Sequence, residues 1–145
     1  MCAVSFAEHN GLVAHSDDAE TTMLSFDEVV AAAGVTDVVA FAGDLRSVCG
    51  IEPATARFSL RRMPLERLAG WVCQPESYLQ DNDVCGHRRA VELADAYRCG
   101  RRVPPIVFGW LVVDSESLQV LDGLHRLAGA GAAGLRHIEA FEAHQ

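Results

Sequence analysis

Asp122, His125 and Arg126 stand within five residues of one another, around Gly123 and Leu124, in the run Val120-Leu121-Asp122-Gly123-Leu124-His125-Arg126-Leu127-Ala128. The apolar residues before Asp122 read as a strand and those after Arg126 as a helix. The acid closes the strand, the glycine allows a sharp turn, and two basic residues open the helix. The first N–H groups of a helix lack internal partners, and the helix dipole places partial positive charge there, so this geometry receives phosphate. Arg126 can add a bidentate fork. Asp122 can bind a metal or accept a hydroxyl proton. His125 can donate to a phosphoryl oxygen or shuttle a proton. A structural reading stands beside this one: Asp122 as a cap, His125 and Arg126 as solvated surface. Two basic residues in a first turn are unfavourable on dipole grounds, and that tilts the reading towards a recruited anion.

The elements that must position this turn follow from the pattern around it. Residues 1–24 are weakly patterned, with Asn10-Gly11 a candidate hairpin turn. Ser25 and Glu28 fit a capping box that starts a short helix to Ala33, stopped by Gly34. Thr36 is expected to cap a second helix, from Asp37 to Cys49, closed by Gly50. Residues 57–62 alternate Phe58 and Leu60 against Ser59 and Arg61, which suits a first strand. Met63 to Leu68 reads as a turn into a short helix, and residues 71–86 as loop. Arg88 to Cys99 is a helix carrying Ala90, Leu93, Ala94 and Tyr97 at helical spacing, ended by Gly100. After Pro104-Pro105, the apolar run Ile106 to Val113 reads as a buried strand. A turn at Asp114 to Ser117, a strand from Leu118 to Leu121, a helix from Leu124 to Ala133 and a strand from Arg136 to Glu142 complete the pattern. The expected class is mixed α/β (α+β), with a small mixed sheet and flanking helices.

The chain has 145 residues, a net charge of −8 and no lysine; its twelve basic residues are all arginine. A lysine nucleophile, a Schiff base and a P-loop lysine are thereby excluded. The acidity argues against a free-standing nucleic-acid binder. Charge changes abruptly near residue 56. Residues 1–56 carry nine acids and one base, Arg46, whereas residues 57–145 carry eleven of each. We therefore expect an acidic, helical N-terminal extension (1–56) ahead of a compact domain (57–145). Two short helices in the extension invite a helix-turn-helix reading, but the second carries Asp37 and Asp44 and does not suit phosphate contacts. The five cysteines, without a C-x-x-C pair, and the absence of a basic n-region or a long apolar run lead us to expect a reducing cytoplasm, free thiols and no membrane span.

Taken together, Pro104-Pro105-Ile106-Val107, the following hairpin, Asp122-Gly123-Leu124-His125-Arg126, and Ala132-Ala133-Gly134-Leu135 with Ile138 resemble the ParB/sulfiredoxin superfamily. The helix Val91 to Tyr97 and the stretch Phe58 to Leu68 match its preceding helix and its opening strand and turn, so the resemblance covers roughly residues 57–142. Sulfiredoxins place a catalytic cysteine directly before the His-Arg pair; here that residue is Leu124, which removes sulfinic-acid reductase chemistry. In ParB proteins a G-E-R-R motif grips nucleotide phosphates; here Gly123 and Arg126 match it and Leu124 and His125 replace its middle. The D-G-x-H-R form is similar to the free-serine kinases of the superfamily. The resemblance implies a nucleotide (ATP, ADP or CTP) held at Gly123, Leu124, His125 and Arg126, with Mg²⁺ bridging it to Asp122. It further implies catalysis by Asp122 and His125 with a second acid from an early loop. Glu76 is the candidate for that acid and Glu66 the competitor. The acceptor would be a small hydroxyl compound.

The resulting expectation is a nucleotide- or phosphate-binding protein, with phosphotransferase activity in its enzymatic version. The alternative is a non-catalytic nucleotide-binding switch or interaction module, its acidic residues 1–56 docking a protein partner. A ParB-like nuclease ranks third. Arg88-Arg89 and Arg101-Arg102 read as solvated helix ends or an added anion face. Cys85 and His87 lack further ligands at zinc spacing. His9 and His15 read as surface, and Trp71 and Trp110 as core or edge aromatics. No G-x-S-x-G elbow supports a serine hydrolase.

Overall fold

The capping box expected at Ser25 is formed in the computed structural model, which describes residues 22–71 and 84–145. The Glu28 amide donates to Ser25 Oγ (3.2 Å) and the Ser25 amide to Glu28 Oε1 (2.8 Å). Helix α1 (Phe26–Ala33) follows, and Gly34 ends it with φ +69°. Helix α2 (Val38–Cys49) is capped by Asp37 rather than Thr36: the Ala40 amide donates to Asp37 Oδ1 (3.0 Å). A carboxylate at this position adds its charge to the cap, and the helix dipole rewards it. The Asn10-Gly11 turn, His9, His15, Cys2, Cys73 and the 72–83 part of the expected loop lie outside the described residues, as do the side chains of Trp71, Cys85 and His87.

Four strands follow: β1 (Arg57–Pro64), β2 (Ile106–Trp110), β3 (Leu118–Asp122) and β4 (His137–His144). A 3-10 segment, Leu65–Trp71, replaces the short helix expected after β1. Helix α3 (Val84–Arg98) precedes β2 and starts within the stretch read as loop, and α4 (Leu124–Ala132) joins β3 to β4. The sheet order is β1-β4-β2-β3. β4 runs antiparallel to β1 and parallel to β2, and β3 is antiparallel to β2, so this is a mixed α+β fold. β2 stops at Trp110 although the apolar run continues to Val113. The Leu111 amide donates to the Ser117 carbonyl, and Asp114 accepts from the Glu116 amide and the Ser117 hydroxyl. Closing this hairpin takes precedence over extending the strand and leaves Val113 86% exposed at its tip.

Both faces of the sheet are covered. On one, Val29, Ala33, Phe41 and Leu45 of α1 and α2 pack on Phe58, Val107, Phe141 and Ala143. On the other, Leu127 and Ala130 of α4 meet Ile106, Phe108, Val120, Ile138 and Ala140, with Leu65 and Leu68 of the 3-10 segment. Helix α3 lies against α4, where Gly129 allows close approach: a Cβ there would stand 2.8 Å from Leu93 Cβ. The charge step near residue 56 thus does not coincide with a break in packing. The acidic helices form one layer of the fold, and a bridge between Leu24 and Phe58 ties the segment before α1 to β1. That layer also explains why β1 departs from the expected alternation. Phe58 is buried beneath α1 and α2, but Leu60 on the same face is 48% exposed, whereas Ser59, turned the other way, is buried. Among the described residues no helix is long and apolar enough to cross a membrane.

Candidate functional site

The turn after β3 is built around Gly123. Its φ of +104° is a conformation L-residues avoid, and a Cβ on it would meet Ile106 Cγ2 at 2.7 Å. Two independent constraints therefore demand glycine. One strand earlier the register slips: Val107 pairs with Asp122 and Phe108 with Val120, which leaves Leu121 as a bulge beside the turn. Bulges of this kind re-aim the side chains next to them. Helix α4 then starts at once, with the Leu127 amide donating to the Gly123 carbonyl (2.9 Å).

Arg126 points inward. Its Nη2 donates to Asp122 Oδ2 at 2.6 Å, four residues back at the end of β3. Its Nη1 faces three carbonyls: Pro105 at 2.6 Å, Ala33 at 2.8 Å and Pro104 at 3.2 Å. The residue is only 9% exposed. The sequence suggested a guanidinium aimed at phosphate; here it ties β3, the Pro-Pro segment and the end of α1 to one another. Burial raises the Asp122 carboxyl above the ordinary aspartate value even though the adjacent Arg126 charge and hydrogen bond pull it down. Tyr97 of α3 completes the surroundings. Burial, opposed by the Arg126 charge and helped by Glu139, pushes its phenol up to about 12, so it stays neutral. His125 is half-buried and Leu124 exposed in the first turn of α4.

No family model matches this chain, and no curated protein or solved structure matches it either.

Of the expected site residues, Asp122, Gly123, Leu124, His125 and Arg126 are together. Glu76 lies outside the described residues. Glu66 sits on the 3-10 segment that follows β1, the strand at the opposite edge of the sheet from β3. Glu66 instead lines an open depression of about 550 Å³ with Pro64, Leu65, Leu135, Arg136 and His137. Among the described residues no three His, Cys, Asp or Glu side chains converge as a metal site. A magnesium ion would have to rely on Asp122 and on phosphate oxygens of its nucleotide, which is a common arrangement for that ion.

A second polar cluster was not anticipated. On the α4 side of the sheet, Glu142 accepts from Trp110 Nε1 (2.7 Å) and pairs with Arg61 Nε (2.8 Å). Ser59 Oγ lies 2.9 Å from His144 Nε2, and Arg67 stacks over the Trp110 ring. Ser59 and Glu142 are direct cross-strand partners. The spacing of Glu142 and His144, two apart on one strand face, was the available signal. This is not a hydrolase triad. Glu142 approaches the same nitrogen of His144 that faces Ser59, at 3.8 Å, and so cannot orient the ring from behind. The buried carboxylate is matched by its donors, as structural networks are.

Proposed function

We propose that this chain is a ParB/sulfiredoxin-like protein that binds the phosphate end of a nucleotide at the Asp122–Arg126 turn. The observation that carries the reading is the junction itself: β3 passes through Gly123 directly into α4, and no side chain caps the first-turn amides, beside which Asp122 is held by Arg126. In this reading the first-turn amides of α4 and its dipole take the phosphate. Gly123 gives the backbone the positive φ that turns β3 directly into α4, and His125 donates to a phosphoryl oxygen. Arg126 acts beneath the site by holding Asp122. In the phosphotransferase version Asp122 accepts the proton of a small hydroxyl compound, and Mg²⁺, when bound, neutralises phosphate charge beside it.

The inward orientation of Arg126 favours a second version, binding without turnover as a switch. A thermal-shift series with ATP, ADP, CTP and GTP plus Mg²⁺ tests both. A ligand at a hundred times its dissociation constant stabilises by about 2.7 kcal/mol. The expected result is a nucleotide-dependent shift that His125→Ala diminishes. Release of product with a hydroxyl acceptor selects the enzyme, and binding with no turnover selects the switch. No shift with any nucleotide removes the phosphate-site reading.

A further inference from the structure

Helix α1 has eight residues, too few to be stable alone, and no basic residue in its last turn. Its terminal carbonyls need donors. Gly34 and Val35 amides serve Ala31 and Val30. The Ala33 carbonyl is served by Arg126, 93 residues further along the chain. Arg126 therefore supplies the cation that favours a helix C-terminus and that α1 itself lacks. The same guanidinium holds Asp122 with its other nitrogen. Both contacts are short and the arginine is buried, so it cannot swing to one partner without changing its hold on the other.

We propose that α1 and the Asp122–Gly123–α4 turn are one coupled unit, with Arg126 as the positioning residue between them, so that the acidic first layer regulates the site. Detaching α1 removes an acceptor from Arg126 and loosens its grip on Asp122. A phosphate on the first-turn amides of α4 that shifts Asp122 changes, through Arg126, the hold on α1. The coupling stands on the Arg126 contacts themselves; its regulatory meaning rests on the phosphate-binding reading above.

Hydrogen exchange of the full chain tests it, using two mild variants that leave Arg126 in place. Ser25→Ala removes the cap of α1, and Asp122→Asn removes the carboxylate at the turn. Coupling is reciprocal. In Asp122→Asn the amides of Val29 to Val35 should exchange about fivefold faster or more, and in Ser25→Ala the Leu127 amide should do likewise, with Phe41 to Cys49 little changed in both. A merely structural arginine would keep each effect within its own element, and that result overturns the proposal. A parallel arm adds ATP with Mg²⁺ to the wild type. If nucleotide alters neither segment while the two variants still show the coupling, the nucleotide reading fails and the coupling survives.

Discussion

Replacing Gly123 by alanine tests the geometry of the turn directly. Two costs add. The backbone at φ +104°, ψ 25° is one an alanine adopts only under strain, of order 1–2 kcal/mol. The new methyl would also stand 2.7 Å from Ile106 Cγ2 and 3.2 Å from Ile106 Cα, closer than packed carbons allow. Ile106 is fully buried within the sheet and cannot step aside, so overpacking adds roughly 1–3 kcal/mol. The sum is about 3 kcal/mol. Gly34 is the internal control: it too has a positive φ, +69°, but nothing lies within 4 Å of a Cβ built on it. Gly34→Ala should therefore carry only the backbone cost, about 1 kcal/mol. Urea unfolding of the two variants beside the wild type measures both values, and their difference contains the Ile106 contact together with the extra backbone strain of φ +104° over φ +69°. Equal losses in the two variants, or a Gly123→Ala loss below about 0.5 kcal/mol, would refute the claim that β2 closes over this turn.

Three further outcomes concern Arg126, Asp122 and Trp110. Arg126→Met strands Asp122 and three carbonyls, and should cost about 3 kcal/mol in chemical denaturation. The figure lies at the low end for a broken buried pair because the Asp122 side chain remains 25% exposed. Carboxyl NMR titration should place the Asp122 midpoint above the ordinary aspartate value, since burial outweighs Arg126. A raised carboxyl adds stability below about pH 4 that is lost as pH rises through its folded value, so Asp122→Asn should remove that component from the pH–stability profile. Trp110→Phe deletes the indole donor to Glu142 and should destabilise by about 2 kcal/mol in the same assay, with little effect if the Trp110–Glu142 bond is absent in solution.

Much of this architecture was legible along the chain because it depends on neighbours in sequence. The Ser25–Glu28 box, the stops at Gly34 and Gly50, and the strand-glycine-helix turn at Asp122 to Arg126 all arise from interactions spanning a few residues. Departures began where a distant element decided between local options. Leu60 is exposed because the α1–α2 layer ends before it. Val112 and Val113 leave the strand because the Asp114–Ser117 turn closes the hairpin. Ser59, Glu142, His144 and Trp110 meet only once β1, β4 and β2 lie side by side.

The Asp122–Arg126 turn shows the division most clearly. Residue type and spacing alone determined that an acid, a glycine, a histidine and an arginine share one strand-to-helix junction, since they fall within five consecutive residues. The direction of the arginine was a matter of tertiary structure. A guanidinium carries five donors and goes where unsatisfied acceptors collect. Those acceptors are the carbonyls of Ala33, Pro104 and Pro105, which only the packing of α1 against the sheet and the path of the Pro-Pro segment bring to it.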